Sequence, residues 1–86
     1  MTIDDHDKRF RVAMEVTKEL NRSYELYGKF YGSHEGYAVL LEELDELWDE
    51  VKKRKRDLPS MRREAIQISA MAIKFVLDIC NAENQR

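Results

Sequence analysis

The sequence predicts an all-α fold: a three-helix protomer that completes its core in an oligomeric helical bundle. Three observations carry this expectation. Only three Gly and one Pro stand in 86 residues, too little turn material for a sandwich or barrel, which needs a turn about every 8–12 residues. Apolar residues recur at three- and four-residue steps over long stretches. The last of these stretches is apolar nearly all round, so it asks for burial on two sides.

The first helix is expected over about residues 5–27. Phe10, Ala13, Met14, Thr17, Leu20, Tyr24 and Tyr27 form one stripe at helical spacing. Gly28 and Gly32 then bracket an ordered loop with Phe30 or Tyr31 tucked in. The second helix is expected over about 34–55, with Ser33 as its N-cap and Glu35 in the first turn. Its apolar face comprises Tyr37, Leu40, Leu41, Leu44, Leu47, Trp48 and Val51, and the cations Lys52–Arg56 complement its C-terminal end. Pro59 marks the stop, and Ser60 is placed to cap the third helix, over about 61–81.

The third helix differs in kind. Ile68, Phe75, Ala72 and Ile79 fall on one side, Ile66, Ile73, Leu77 and Ala70 on the opposite side. Three helices of this length cannot surround it, so a dimer or tetramer with this helix at its centre is expected. The length also sets the scale, since 86 residues make one small domain, 1–86, that struggles to bury a large core alone.

Composition narrows the function classes. The net charge is −2 and the pI about 5.7, which argues against nucleic acid, whose usual footprint is a basic domain. No apolar run approaches the roughly 20 residues of a membrane span. The N-terminus lacks a secretory pattern, and a single Cys80 makes no internal disulfide. A cytoplasmic location fits these features.

The segment with chemistry in it runs from Glu42 to Glu50. On a helical wheel Glu43, Glu46 and Glu50 line the edge of the apolar face, while Glu42, Asp45 and Asp49 lie further round. The third helix has a matching polar stripe of Glu64, Gln67, Lys74 and Asp78. If the two stripes meet, Glu43, Glu46 and Glu64 converge. Carboxylates crowded without a counter-charge repel or take up protons. A hard divalent cation resolves the conflict, Mg²⁺ or Mn²⁺ suiting oxygen ligands. The blander interpretation is a solvated helix face carrying i,i+4 pairs, which Asp45 and Asp49 with Lys52 and Lys53 would satisfy.

These residues resemble the MazG-like all-α nucleotide pyrophosphohydrolases. Glu42-Glu43-Leu44-Asp45-Glu46 is similar to that family's EExxE element. Glu64-Ala65-Ile66-Gln67 stands where its ExxD element follows on the next helix. The likeness spans Phe30 to Asp78. It implies an all-α pyrophosphatase-like bundle that binds Mg²⁺ and cleaves nucleoside triphosphates to monophosphate and pyrophosphate. The implied metal ligands are Glu43, Glu46, Glu64 and Gln67. Gln67 replaces the family Asp, so the site loses one charge. Glu42, Glu43 and Glu46 are the group that would position or deprotonate the attacking water. Lys52, Lys53, Arg63 and Lys74 are candidate phosphate contacts. Tyr24, Tyr27, Phe30, Tyr31 and Trp48 are candidates to stack on a base, though Trp48 also reads as core. The alternative expectation, which Gln67 keeps alive, is a catalytically weak MazG-like module that binds a nucleotide or a protein as a regulator.

Overall fold

The computed structural model describes residues 3–81. Three helices fill them: α1 (Ile3–Tyr27), α2 (Ser33–Lys52) and α3 (Leu58–Phe75), the last running on into a π-helical turn (Val76–Cys80). There is no strand among the described residues. None of the described helices is long and apolar enough to cross a membrane.

The central helix is α3, which packs against both α1 and α2. α1 runs parallel to it: Glu15 meets Arg62 near the start of α3, and Tyr24 meets Asp78 beyond its end. α2 runs antiparallel, with Gly36 against Phe75 at one end and Glu43 beside Gln67 further along. The buried apolar core is small: Val16, Phe30, Ala70 and Met71, with Leu20, Val39, Leu40, Ile66, Phe75 and Ile79 packed around it.

The helix boundaries depart from the sequence expectation at three places. α2 starts at Ser33 itself, and Gly32 occupies the N-cap in an extended conformation without a side-chain cap. α2 stops at Lys52 because Lys53 turns extended (φ −60°, ψ 139°). The cations 53–56 therefore lie in the linker, and only Lys52 remains in the last turn. α3 starts at Leu58, capped by Asp57 rather than Ser60: the Asp57 carboxylate accepts from the Ser60 backbone N–H at 3.1 Å and its hydroxyl at 2.8 Å. Pro59 sits within that first turn, where its missing N–H costs nothing.

Gly28 ends α1. Its φ of 72° is the left-handed value that halts a helix, and its N–H still bonds to the Tyr24 carbonyl at 2.9 Å. The following loop tucks in Phe30 and leaves Tyr31 97% exposed. Gly36 makes room for that packing, since a Cβ there would lie 2.7 Å from the Phe75 ring and 3.2 Å from Phe30.

The faces turn inward differently from what apolar spacing suggests. On α1 the buried residues are Val16 and Ser23, with Leu20 and Tyr24 half-buried, whereas Phe10, Ala13, Met14, Thr17 and Tyr27 are exposed. The register explains part of this: α1 reaches three turns before Glu15, well past the start of α3 at Leu58. On α2 the inward line is Gly36, Val39, Leu40, Glu43, Leu47 and Glu50. Tyr37, Leu41, Leu44, Trp48 and Val51 form a second, exposed line at alternating four- and three-residue steps. Trp48 is thus not a core residue of the protomer. On α3 the polar positions Gln67 and Lys74 lie in the inward face beside Ala70 and Met71, while Ala72 and Ile73, with Val76 and Leu77 of the π turn, face outward.

Candidate functional site

Antiparallel packing of α2 on α3 brings the two polar stripes together. Glu43, Glu46 and Glu64 each present a carboxylate oxygen within 4.8 Å of the others. Glu43 and Glu64 are half-buried, and Glu46 is exposed. The electrostatic cost registers on the titration of the cluster. Burial first, then the charges of Glu46, Glu64 and Glu42, push the Glu43 carboxyl up to about 7. Glu64 is raised for the same reasons, burial leading and Glu46 next. Carboxylates that share a site without a cation hold protons in this way.

Gln67 lies between two of them. With its amide nitrogen facing the cluster it donates to Glu43 Oε1 at 2.9 Å and to Glu64 Oε1 at 3.1 Å. A neutral donor there relieves the crowding that an Asp would worsen. Glu50, one turn beyond Glu46, is paired with Lys53 at 2.9 Å instead of joining the cluster.

A cavity of about 480 Å³ opens beside these residues, bordered by all three helices and the 28–30 loop. At one end stand Glu42, Glu43, Glu46 and Gln67, at the other Ser23, Phe30, Met71 and Lys74, with Arg22, Tyr27 and Lys29 also on its wall. Lys74 is only 2% exposed. Its ammonium donates to Ser23 Oγ at 2.9 Å and lies 4.9 Å and 4.7 Å from the ring centroids of Tyr24 and Phe30. Such cation–π contacts stabilise a desolvated cation. Burial still draws the amine below its ordinary value, opposed by the charges of Asp78 and Glu35.

Asp78 braces this end. Its carboxylate accepts from the Tyr24 hydroxyl at 2.6 Å and the Phe30 backbone N–H at 2.9 Å, tying α1 and the loop to the π turn. Burial, then this bond, pushes the Tyr24 phenol up to about 12.

Of the residues singled out from sequence, the structure brings Glu42, Glu43, Glu46, Gln67, Lys74, Tyr27 and Phe30 to one cavity, with Glu64 at its acidic end. Others lie elsewhere. Lys52 pairs with Asp49 at 3.4 Å and sits 5.7 Å from the Trp48 ring on the outward side of α2. Lys53 is held by Glu50. Arg63 lines a shallow groove between α1 and α3 with Lys18, Arg22 and Arg62. Tyr31 is exposed.

Ser23, Arg22 and Lys29 are cavity residues that sequence reasoning missed. Ser23 had a signal: it stands three residues after Leu20 and one before Tyr24, a small polar residue inside a core-facing stretch. Arg22 and Lys29 had none, because their place depends on where the loop closes over α2. Compared with family models, with characterised proteins and with solved structures, the chain matches none.

Proposed function

We propose that this protein is a Mg²⁺-dependent pyrophosphohydrolase of the MazG-like kind, splitting nucleoside triphosphates into monophosphate and pyrophosphate in the cytoplasm. The observation that carries the proposal is the carboxylate trio at the end of a nucleotide-sized cavity. Three oxygens within 4.8 Å and a Glu43 proton retained to about pH 7 describe a site short of positive charge, and the oxygen donors suit Mg²⁺ or Mn²⁺. Glu43, Glu46 and Glu64 would hold the cation, and Gln67 would join them by turning its amide oxygen inward. A cation held there supplies charge neutralisation along the phosphate chain and activation of a water. Glu42, exposed at the cavity edge, is positioned to orient that water or take its proton. Arg22 and Lys29 on the cavity wall supply phosphate contacts.

The homo-oligomer belongs to the same proposal. Tyr37, Leu41, Leu44, Trp48 and Val51 on α2, with Ile73, Val76 and Leu77 around α3, are 42–63% exposed. The α2 residues follow a coiled-coil spacing, and among the described residues only four apolar side chains are buried. A second copy covering these faces would supply the missing core, leaving the cavity on the opposite side of α2. Light scattering of Leu44→Glu should then show a lower mass than wild type.

The decisive measurement is pyrophosphate release from a panel of NTPs and dNTPs with Mg²⁺ and Mn²⁺. Turnover that Glu43→Gln or Glu64→Gln abolishes supports the enzyme. The second reading, a regulatory binding module of weak activity, is favoured by the Gln67 amide acting as a donor to the trio. Metal-dependent nucleotide binding without turnover, converted to turnover by Gln67→Asp, would establish that reading instead.

A further inference from the structure

We infer that Lys74 is a specificity-determining residue that reads an oxo group on the nucleobase, so that the site prefers bases carrying a carbonyl oxygen where the competing base carries an amino group. The inference rests on the nucleotide reading above and names what that site selects.

Lys74 follows Gln67 by seven residues, two turns on the same face of α3, or about 10 Å along the axis. With the phosphate chain at the carboxylate end of the cavity, Lys74 stands two helical turns further along, at the other end. It shares that end of the cavity wall with Phe30 and Met71, where the base would arrive.

The chemistry follows from what the ammonium has already satisfied. Among the described residues Ser23 Oγ is its one hydrogen-bond acceptor. Its remaining N–H groups have aromatic faces, Tyr24 and Phe30, for neighbours. Asp78, the nearest acid in sequence, spends its oxygens on Tyr24 and the Phe30 N–H. Lys74 therefore keeps donors for a ligand at the end of the cavity it lines. An ammonium only donates. It rewards the oxygen of guanine, hypoxanthine, uracil or thymine and is left facing another donor by the amino group of adenine or cytosine. The Ser23–Lys74 bond and the two rings hold the ammonium in place, so the preference is built before the ligand enters.

Two nucleotide pairs isolate the oxo-for-amino exchange: inosine against adenosine triphosphate, and uridine against cytidine triphosphate. With Mn²⁺, wild type should favour the oxo member by about tenfold or more in kcat/KM, the worth of one charged hydrogen bond. Lys74→Met should lose that preference, its kcat/KM for the oxo member falling to that for the amino member, with inorganic triphosphate, which has no base, run alongside to report the variant's basal turnover. Lys74→Gln, whose amide both donates and accepts, should flatten the preference in the same way if the methionine variant fails to fold. Equal handling of both pairs by a wild type that hydrolyses them overturns this inference alone. A preference that survives both substitutions overturns it too. Failure of wild type to bind or hydrolyse any triphosphate with metal, the inorganic one included, overturns the pyrophosphohydrolase reading and this inference with it.

Discussion

The two ends of the cavity solve the problem of buried charge in opposite ways. At the inner end one cation, Lys74, is surrounded by a hydroxyl and two aromatic faces, with Asp78 locking the same elements together. At the outer end three carboxylates are crowded with only the Gln67 amide between them. The first end is held in place within one chain, and its ammonium keeps donors beyond the bond to Ser23. The second is short of positive charge within the chain, and that shortage is what a metal-bound phosphate chain would fill.

The largest expected effect breaks the acidic end. Glu43→Gln should reduce metal-dependent turnover by more than the roughly 10–100-fold that loss of an outer partner costs a metal site. The same variant tests the pH dependence. Folded Glu43 keeps its proton to about pH 7, whereas an unperturbed Glu ionises near 4.5. Between those values the folded state binds more protons than the unfolded state, so metal-free stability falls as pH rises through that window. Thermal melts without metal should show this decline, and Glu43→Gln should flatten it. Added Mn²⁺ should raise the wild-type midpoint most at the alkaline side, where the ligands are ionised.

Breaking the inner end comes next. Asp78→Ala strands the Tyr24 hydroxyl and the Phe30 N–H and removes the anion nearest Lys74. A loss of about 2–3 kcal/mol in urea unfolding at fixed protein concentration is expected, with the Mn²⁺-induced shift in midpoint retained. If the metal response vanished as well, the two ends would be one cooperative unit rather than two.

Gln67→Asp sharpens the contrast instead of breaking it. A fourth carboxylate should lower the metal-free melting temperature and enlarge the rise produced by Mn²⁺. The smallest effect is expected away from both ends. Arg62→Ala removes the two-pronged ion pair with Glu15, but both partners are exposed, so the change should stay within about 1 kcal/mol in the same urea assay.

Much of this contrast was legible in the residues. Glu43 and Glu46 share a face because they are three apart, and Glu64 with Gln67 repeats that spacing on the next long helix. The two polar stripes made the convergence of Glu43, Glu46 and Glu64 an expectation, and antiparallel packing brings their carboxylate oxygens within 4.8 Å of one another. The inner end was less legible. Asp78 and Lys74 were visible as a polar stripe, but their partners Tyr24, Ser23 and the Phe30 N–H lie 48–54 residues away in sequence, and no local spacing encodes such a meeting. The apolar spacing misled on α1, where Phe10 and Met14 belong to the expected stripe yet find no helix opposite them.

By itself the sequence determined the three-helix, all-α character, the loop glycine at residue 28 and the two polar stripes. Each depends on periodicity or on the backbone freedom of a single residue. Only the tertiary structure decided which stripes turn inward. α2 carries the apolar line of Tyr37, Leu41, Leu44, Trp48 and Val51 beside the inward Val39, Leu40 and Leu47, and α3 is apolar on two sides, so the hydrophobic pattern does not choose the inward face. The choice falls to the pairings that only one arrangement permits: the Phe30 and Phe75 rings against the bare backbone of Gly36, and Lys74 enclosed by Ser23, Tyr24 and Phe30. That choice puts the carboxylates beside the cavity and leaves the second apolar lines on the outside.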